Sequence, residues 1–285
     1  MLRSLKGFMD QRYFRHRGFH IVEIDSDGIR QRNFTHEGTW RVSRGHTSFD
    51  VNYQDENAQF LETFALALAQ CTGQMPSAPI VVLIDDGFVR HAPLHMEQSS
   101  SRNLDKSYAH WLAERFLGVK QTEYSTKVES RGPSDVWITA YPQQIVAVLN
   151  KMRETGTEIC ATLPKSSLYL LNPQFHGRLN LILKGASWSL LALTTTGETV
   201  YYRSNIWSDS SLQHLQAVIK TAESVLRCFS LSNQQLELRL VVAPCYVADI
   251  STEGMAYLNS LSQCLLLDDN VVDNLCIDLV LSGLV

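Results

Sequence analysis

The chain has 285 residues, of which 45% are hydrophobic and 19% charged, with a formal net charge of -4. That length supports a sizeable core and sits near the point where single cores divide, so two lobes are expected, and the charge gives no basic footprint of the kind nucleic acid requires. The cysteines Cys71, Cys160, Cys228, Cys245, Cys264 and Cys276 form no C-x-x-C pair and read as buried free thiols of a reducing compartment.

No N-terminal apolar stretch marks a secretory signal, and no apolar run reaches the roughly 20 residues of a membrane span, so a cytoplasmic location is expected. Residues 1–17 carry Arg3, Lys6, Arg12, Arg15 and Arg17 against one acid, Asp10. With Leu2, Leu5 and Met9 at helical spacing, a peripheral contact with anionic lipid is one reading of this segment; a solvated terminus is the other, and the favoured one.

From Gly18 the pattern is strand, turn, strand: Phe19 to Ile24, the turn Asp25-Ser26-Asp27-Gly28, then Ile29 to Phe34. A short third strand is expected at Thr39 to Val42. Phe60, Leu61, Phe64, Ala65 and Leu68 recur at helical period, predicting a helix from about Asn57 to Cys71, and Ile80 to Ile84 read as a buried strand. An insert, about Asp85 to His176, follows. Its first part carries a helix with Leu104, Tyr108, Trp111, Leu112 and Phe116 on or near one face. Its second is a strand-helix-strand unit, with Val136 to Ala140, a helix starting at Pro142 and stopping at Gly156, and Glu158 to Leu163 returning; a small αβ subdomain is expected.

The same order then returns. Leu179 to Leu183, Trp188 to Leu193 and Thr199 to Ile206 read as strands, a long helix capped by Asp209 or Ser210 follows, and Leu236 to Ala243 closes the unit. A βββαβ order repeated at an offset of roughly 155 to 160 residues is an internal duplication of topology.

A duplicated βββαβ unit with an αβ insert in its first copy resembles the actin-like ATPases, the sugar kinases and the actin-like proteins of bacterial pilus machines. Within that group, Ile138-Thr139-Ala140-Tyr141-Pro142 through Gly156 to Leu171 is similar to the insert subdomain of the type IV pilus assembly protein PilM, and Leu275 to Leu284 is similar to that family's final apolar helix. The resemblance implies an α/β protein of duplicated actin-like (ribonuclease H-like) lobes: a basic segment 1–17, a first lobe 18–176 with an insert at about 85–176, and a second lobe 177–285. It implies a cytoplasmic scaffold peripheral to the inner membrane, in a type IV pilus or related secretion platform. Its partner would be the cytoplasmic tail of a bitopic PilN-like protein, held between the first lobe and the insert subdomain. A nucleotide-binding ATPase or kinase of the same superfamily is the alternative. A GspL-like secretion domain is a third reading, against which the lack of a span or anchor-like tail after Leu281 weighs.

Departures from the nucleotide-binding pattern set the enzymatic expectation. In nucleotide-binding members each lobe opens on an Asp-x-Gly turn followed by Ser or Thr, so that backbone N–H groups approach phosphates while an acid holds the metal shell. Here the first turn, Glu23-Ile24-Asp25-Ser26-Asp27-Gly28, places up to three carboxylates toward anionic phosphates, and repulsion is expected. The second, Lys184-Gly185-Ala186-Ser187 after Leu183, has no acid, although Lys184 suits a phosphate as a point charge. Val241-Val242-Ala243-Pro244-Cys245 stands where a glycine-bearing adenosine segment is expected. No catalytic residue, cofactor or metal is therefore expected.

The remaining candidates are bland. His91 and His95 flank Pro93, which argues for a solvated loop over a metal site. Asp85-Asp86 read as a strand-end turn, and Asp268-Asp269 as a helix N-cap. No G-x-S-x-G, H-E-x-x-H or Walker-type motif occurs. Cys160 and Cys245 read as core, as do most of Trp40, Trp111, Trp137, Trp188 and Trp207.

Overall fold

A computed structural model describes residues 11–25, 28–48, 66, 78–95, 106–120, 122–130, 135–170, 172–184, 187–206, 211–231, 236–244, 251–261 and 264–282. The expected helix over 57–71 apart from Leu66, which is helical and exposed, most of segment 1–17, the turn residues Ser26, Asp27, Gly185 and Ala186, and Leu104, Trp207, Asp209, Ser210, Cys71 and Cys245 lie outside them. Among the described residues no helix is long and apolar enough to cross a membrane. The chain divides into two compact units, Met1–Ser167 with Cys276–Val285, and Leu168–Leu275.

In the first unit, α1 (Gln11–Arg17) turns through Gly18 into β1 (Phe19–Asp25), which pairs antiparallel with β2 (Gly28–Glu37); β2 pairs with β3 (Thr39–Ser48). β3 runs well past the expected Val42. Gly18 adopts φ 70°, and a Cβ there would lie 2.3 Å from the carbonyl oxygen of Phe34, so the turn into β1 requires glycine. On its other side β1 pairs in parallel with β4 (Ile80–Ile84), and β4 with β8 (Ile159–Pro164), giving a five-stranded sheet of order β3-β2-β1-β4-β8. Every residue of β1 and β4 is buried, as central strands of a covered sheet demand. Val22, Ile24, Val82 and Ile84 pack with Ile145 and Leu149 of α3 (Gln143–Glu154).

That packing corrects the expected insert. β8 is a strand of the main sheet and α3 packs on it, and a separate antiparallel sheet is formed by β5 (Arg90–His95), β7 (Asp135–Pro142) and β6 (Tyr124–Ser130), ordered β5-β7-β6. Over it lies α2 (Lys106–Leu117), whose Leu112 and Ala113 meet Ile138 and Ala140. The His91-to-His95 loop reading is likewise overturned. Pro93 sits in β5 opposite Trp137, and His91 is buried. Gly156, at φ 93°, ends α3 as expected, with the Thr157 N–H donating to the Met152 carbonyl at 3.0 Å.

A short helix, α4 (Ser167–Leu170), follows β8. In the second unit β9 (Arg178–Leu183), β10 (Ser187–Leu193), β11 (Thr199–Ile206), β12 (Glu237–Val242) and β13 (Cys264–Leu266) form a sheet of order β11-β10-β9-β12-β13, the arrangement of the first sheet again. Leu215, Val218, Ile219 and Ala222 of α5 (Leu212–Leu231) pack on Leu181, Leu190 and Leu240. Ser211 caps α5, its Oγ accepting from the His214 N–H at 3.2 Å, while the expected caps Asp209 and Ser210 lie outside the described residues. Two further helices are α6 (Thr252–Ser260) and α7 (Asp269–Leu281), and Asp268 caps α7 by accepting from the Val271 N–H at 2.8 Å.

Two composition readings change. Cys228 is exposed, so the thiols are not uniformly buried, although none of the four described cysteines forms a disulfide. Trp137 and Trp188 fill cores, but Trp111 is exposed, with the Arg115 guanidinium 5.3 Å from its ring centre.

Candidate functional site

The chemistry-bearing residues of the first unit gather where β1, β4 and β8 end. Asp25 closes β1, Asp85 follows β4 with its N–H donating to the Ile24 carbonyl at 2.9 Å, and Lys165 follows β8 with its N–H donating to the Ile84 carbonyl at 2.8 Å. Parallel strands thus deliver three charged side chains to one edge, the carboxyl edge at which open α/β sheets hold ligands. The Lys165 ammonium donates to Glu23 Oε2 at 2.7 Å and to Asp25 Oδ1 at 2.9 Å, so it bridges both acids. Arg32 Nε donates to Glu23 Oε1 at 2.7 Å, and Arg30 pairs with Asp25. Because Arg30 and Arg32 alternate along β2, which runs antiparallel to β1, they flank the two acids from the hairpin's second strand.

All of these groups except Arg30 are buried, and burial sets their electrostatics. Burial works to raise the Glu23 carboxyl, but the charges of Lys165 and Arg32 outweigh it and hold it down to about 2. At Asp25 burial prevails, helped by the neighbouring Glu23 and Asp85 carboxylates, and pushes the group up despite Lys165 and Arg30. The sequence expectation that free carboxylates would face the phosphate position is corrected here. Glu23 and Asp25 are engaged by built-in cations. A second buried polar group adjoins them: Asp86 Oδ1 accepts from the Ser166 N–H at 3.2 Å and lies 3.5 Å from His91 Nε2, while Asp85 Oδ1 accepts from the Gly87 N–H at 2.7 Å. The pair Asp85-Asp86 is therefore a turn, as expected, but a buried one.

Residue identity alone named Glu23 and Asp25 and missed Lys165, Arg30 and Arg32. The available signal was a lysine directly after the apolar Ala161-Thr162-Leu163-Pro164, a strand-end cation beside strand-end acids.

Equivalent hydrogen bonds locate the counterparts in the second unit. Asp25 faces Gly28 across the first hairpin as Lys184 faces Ser187 across the second, the Lys184 N–H donating to the Ser187 carbonyl at 2.9 Å. The Ala243 N–H donates to the Leu183 carbonyl as Asp85 does to Ile24, and the Leu267 N–H to the Val242 carbonyl as Lys165 does to Ile84. The triad Asp25, Asp85, Lys165 thus becomes Lys184, Ala243, Leu267. Lys184 is fully buried and Ser187 is buried beside it. Among the described residues no group of three or more His, Cys, Asp or Glu side chains is placed to hold a metal ion.

No family model and no curated protein matches the chain. Solved structures do. A Bacteroides thetaiotaomicron protein with an actin-like ATPase fold matches with TM-score 0.59 and 8% identity over 95% of this chain and 99% of that one. The chain has the actin-like ATPase fold. The cytoplasmic domain of EpsL, an inner membrane component of the type II secretion system of Vibrio cholerae, matches with TM-score 0.58 and 15% identity, over 93% and 94%. The PilM-PilN type IV pilus biogenesis complex matches with TM-score 0.56 and 12% identity, over 93% and 98%. The actin-like fold accounts for the repeated sheet order.

Proposed function

We propose that this chain is a non-enzymatic assembly protein with a degenerate nucleotide site, acting in the cytoplasm at the inner-membrane platform of a type IV pilus or type II secretion-type machine. Its partner in this reading is the cytoplasmic tail of a bitopic, PilN-like membrane protein. The observation that carries it is the Lys165 bridge. A metal-bound phosphate needs an acid free to hold the metal shell and room for phosphate oxygens, whereas Glu23 and Asp25 both accept from a lysine tethered to β8. The residues present do not fit the group. At the matching positions of the second unit stand Lys184, Ala243 and Leu267, none of them a metal ligand at neutral pH. Support for the biological setting comes from the similarity to the EpsL cytoplasmic domain, part of an inner membrane component of a secretion system, and to the PilM-PilN pilus biogenesis complex.

A thermal-shift titration with Mg-ATP tests the site. A ligand at 100 times its Kd adds about 2.7 kcal/mol to the native state, which raises the melting temperature of a chain this long by at least about 2 °C. The expected result is no saturable shift at millimolar nucleotide; a saturable shift overturns the degenerate-site reading and promotes the ATPase or kinase alternative. Capture of a bitopic protein through its tail from inner-membrane fractions is the expected partner result, and recovery of soluble metabolic enzymes alone overturns the platform reading.

A further inference from the structure

Two arginines at the opposite edge of the second sheet stand apart from the strand-end layer. Arg178 opens β9, and Arg239 lies on β12, which runs parallel beside it with Glu237 level with Arg178 and Arg239 level with Asn180. Both guanidiniums donate to one acceptor, the carbonyl oxygen of Gln174, Arg178 Nη1 at 2.8 Å. The backbone on either side of that carbonyl is held in place. Asn172 Oδ1 accepts from the Gln174 N–H at 3.0 Å, and the buried Asn180 donates Nδ2 to the Phe175 carbonyl at 2.9 Å. Phe175 itself is fully buried.

Two like charges converging on a neutral oxygen are under-compensated. Burial and the neighbouring Arg178 both lower the Arg239 pKa, Glu237 opposing them. Glu237, level with Arg178 on β12, lies 3.8 Å from Arg178 Nε, too far for a hydrogen bond, and its side chain is 72% exposed and able to swing into solvent. Each guanidinium carries five N–H donors, of which the Gln174 carbonyl uses one from each. Donors in a fixed fork that match an oxyanion in geometry, with one net positive charge left after Glu237, are what a phosphate group needs. Capping the last carbonyls of the short helical turn Pro173–Phe175 explains one bond per arginine, not the pairing of two cations there.

We propose that Arg178 and Arg239 form an anion site that takes a phosphate group, seated between the two guanidiniums with Glu237 as the competing internal carboxylate. A free phosphate-bearing molecule and a phospholipid headgroup present the same chemistry. Isothermal titration with inorganic phosphate, on the full chain and at ionic strength matched with chloride, reads the site directly. Saturable binding is expected. Glu237→Gln, a change at an exposed position, is expected to lower the phosphate Kd several-fold, and Arg239→Ala to raise it about tenfold, the loss of a charge-assisted bond. Should Arg239→Ala lose folding, Glu237→Gln alone decides, because a pure carbonyl cap predicts no effect of that carboxylate on phosphate affinity. Vesicles of phosphatidylglycerol and phosphatidylcholine, set against phosphatidylcholine alone, separate the sources: Glu237-sensitive binding to the anionic vesicles assigns a headgroup, and phosphate binding without vesicle binding assigns a free ligand. No saturable phosphate binding by wild type, or a Kd equal in wild type and Glu237→Gln, overturns the proposal.

Discussion

The two halves of the chain share one strand order and differ at its chemically loaded edge. At the ends of β1, β4 and β8 stand Asp25, Asp85 and Lys165; at the same three positions after β9, β12 and β13 stand Lys184, Ala243 and Leu267. In the first half two acids of β1 are paired with a lysine that follows the fifth strand. In the second half a lysine stands at the hairpin position and no acid stands at the other two. The same backbone thus accommodates an ion-paired strand-end layer and one with a single buried lysine. Backbone hydrogen bonding fixes the fold, and what stands at the strand ends is left to the requirements of the site.

The sharpest way to break this contrast is to remove the internal cation. Lys165→Met takes the ammonium from both acids and leaves Glu23 paired with Arg32 and Asp25 with Arg30, both acids being buried. Breaking a buried ion cluster from one side costs about 3–5 kcal/mol, whereas removing all its members together is close to neutral. Chemical denaturation should show a loss of that size in Lys165→Met. Adding Glu23→Gln, Asp25→Asn and Arg32→Met, so that the buried members leave together, should recover most of it. A Lys165→Met protein as stable as wild type would mean that a solution cation reaches the acids, and the layer would then be an open site.

Acid sharpens the same point without mutation. The folded Glu23 carboxyl lies at about 2, below its ordinary 4.5, so its contribution is complete above pH 4.5 and disappears as pH falls toward 2. Its size is about 3 kcal/mol for a shift of that extent. Asp25 is shifted the other way, so its contribution has the opposite sign and grows as the pH falls, opposing part of the loss. Stability measured by denaturant between pH 5 and about pH 2 should therefore fall in wild type and fall less in Glu23→Gln. Parallel curves for the two proteins would remove the Glu23 bridge from the account.

How far the sequence discloses this layer depends on range. Period-two runs and turn residues mark β1, β2, β9, β10 and β11 to within a residue or two of their starts, because apolar alternation is local. The membership of β8 is not local. Ala161, Thr162 and Leu163 say strand, and only pairing with Val81, Val82 and Leu83 some 80 residues away makes it the fifth strand of the first sheet and carries Lys165 to Asp25. β5 and β6 escape notice for a different reason. Arg90-His91-Ala92-Pro93 and Ser125-Thr126-Lys127 lack apolar alternation, since the subdomain has a single small cluster around Leu112 and Ile138 to face. The acids of the hairpin are legible as residues and illegible as a site until their cations are placed.

The smallest effect probes the glycine turn that leads into each half. Gly18 precedes β1 at φ 70° and Gly177 precedes β9 at φ 68°, one residue before the pairs Phe19 with Phe34 and Arg178 with Leu193. The backbone requirement is therefore the same, and any L side chain there carries a left-handed penalty of about 1–2 kcal/mol. The surroundings differ. A Cβ on Gly18 would sit 2.3 Å from the Phe34 carbonyl oxygen, which is backbone within the β1–β2 ladder and has nowhere to go, while a Cβ on Gly177 would meet the Thr195 methyl at 3.3 Å. Gly177→Ala should then lose little beyond the left-handed penalty, about 1 kcal/mol, and Gly18→Ala more than about 2 kcal/mol. Equal losses, read from two denaturant midpoints with unchanged slopes, would mean that backbone conformation alone governs both glycine turns and that the first half is not the more tightly built of the two at this point.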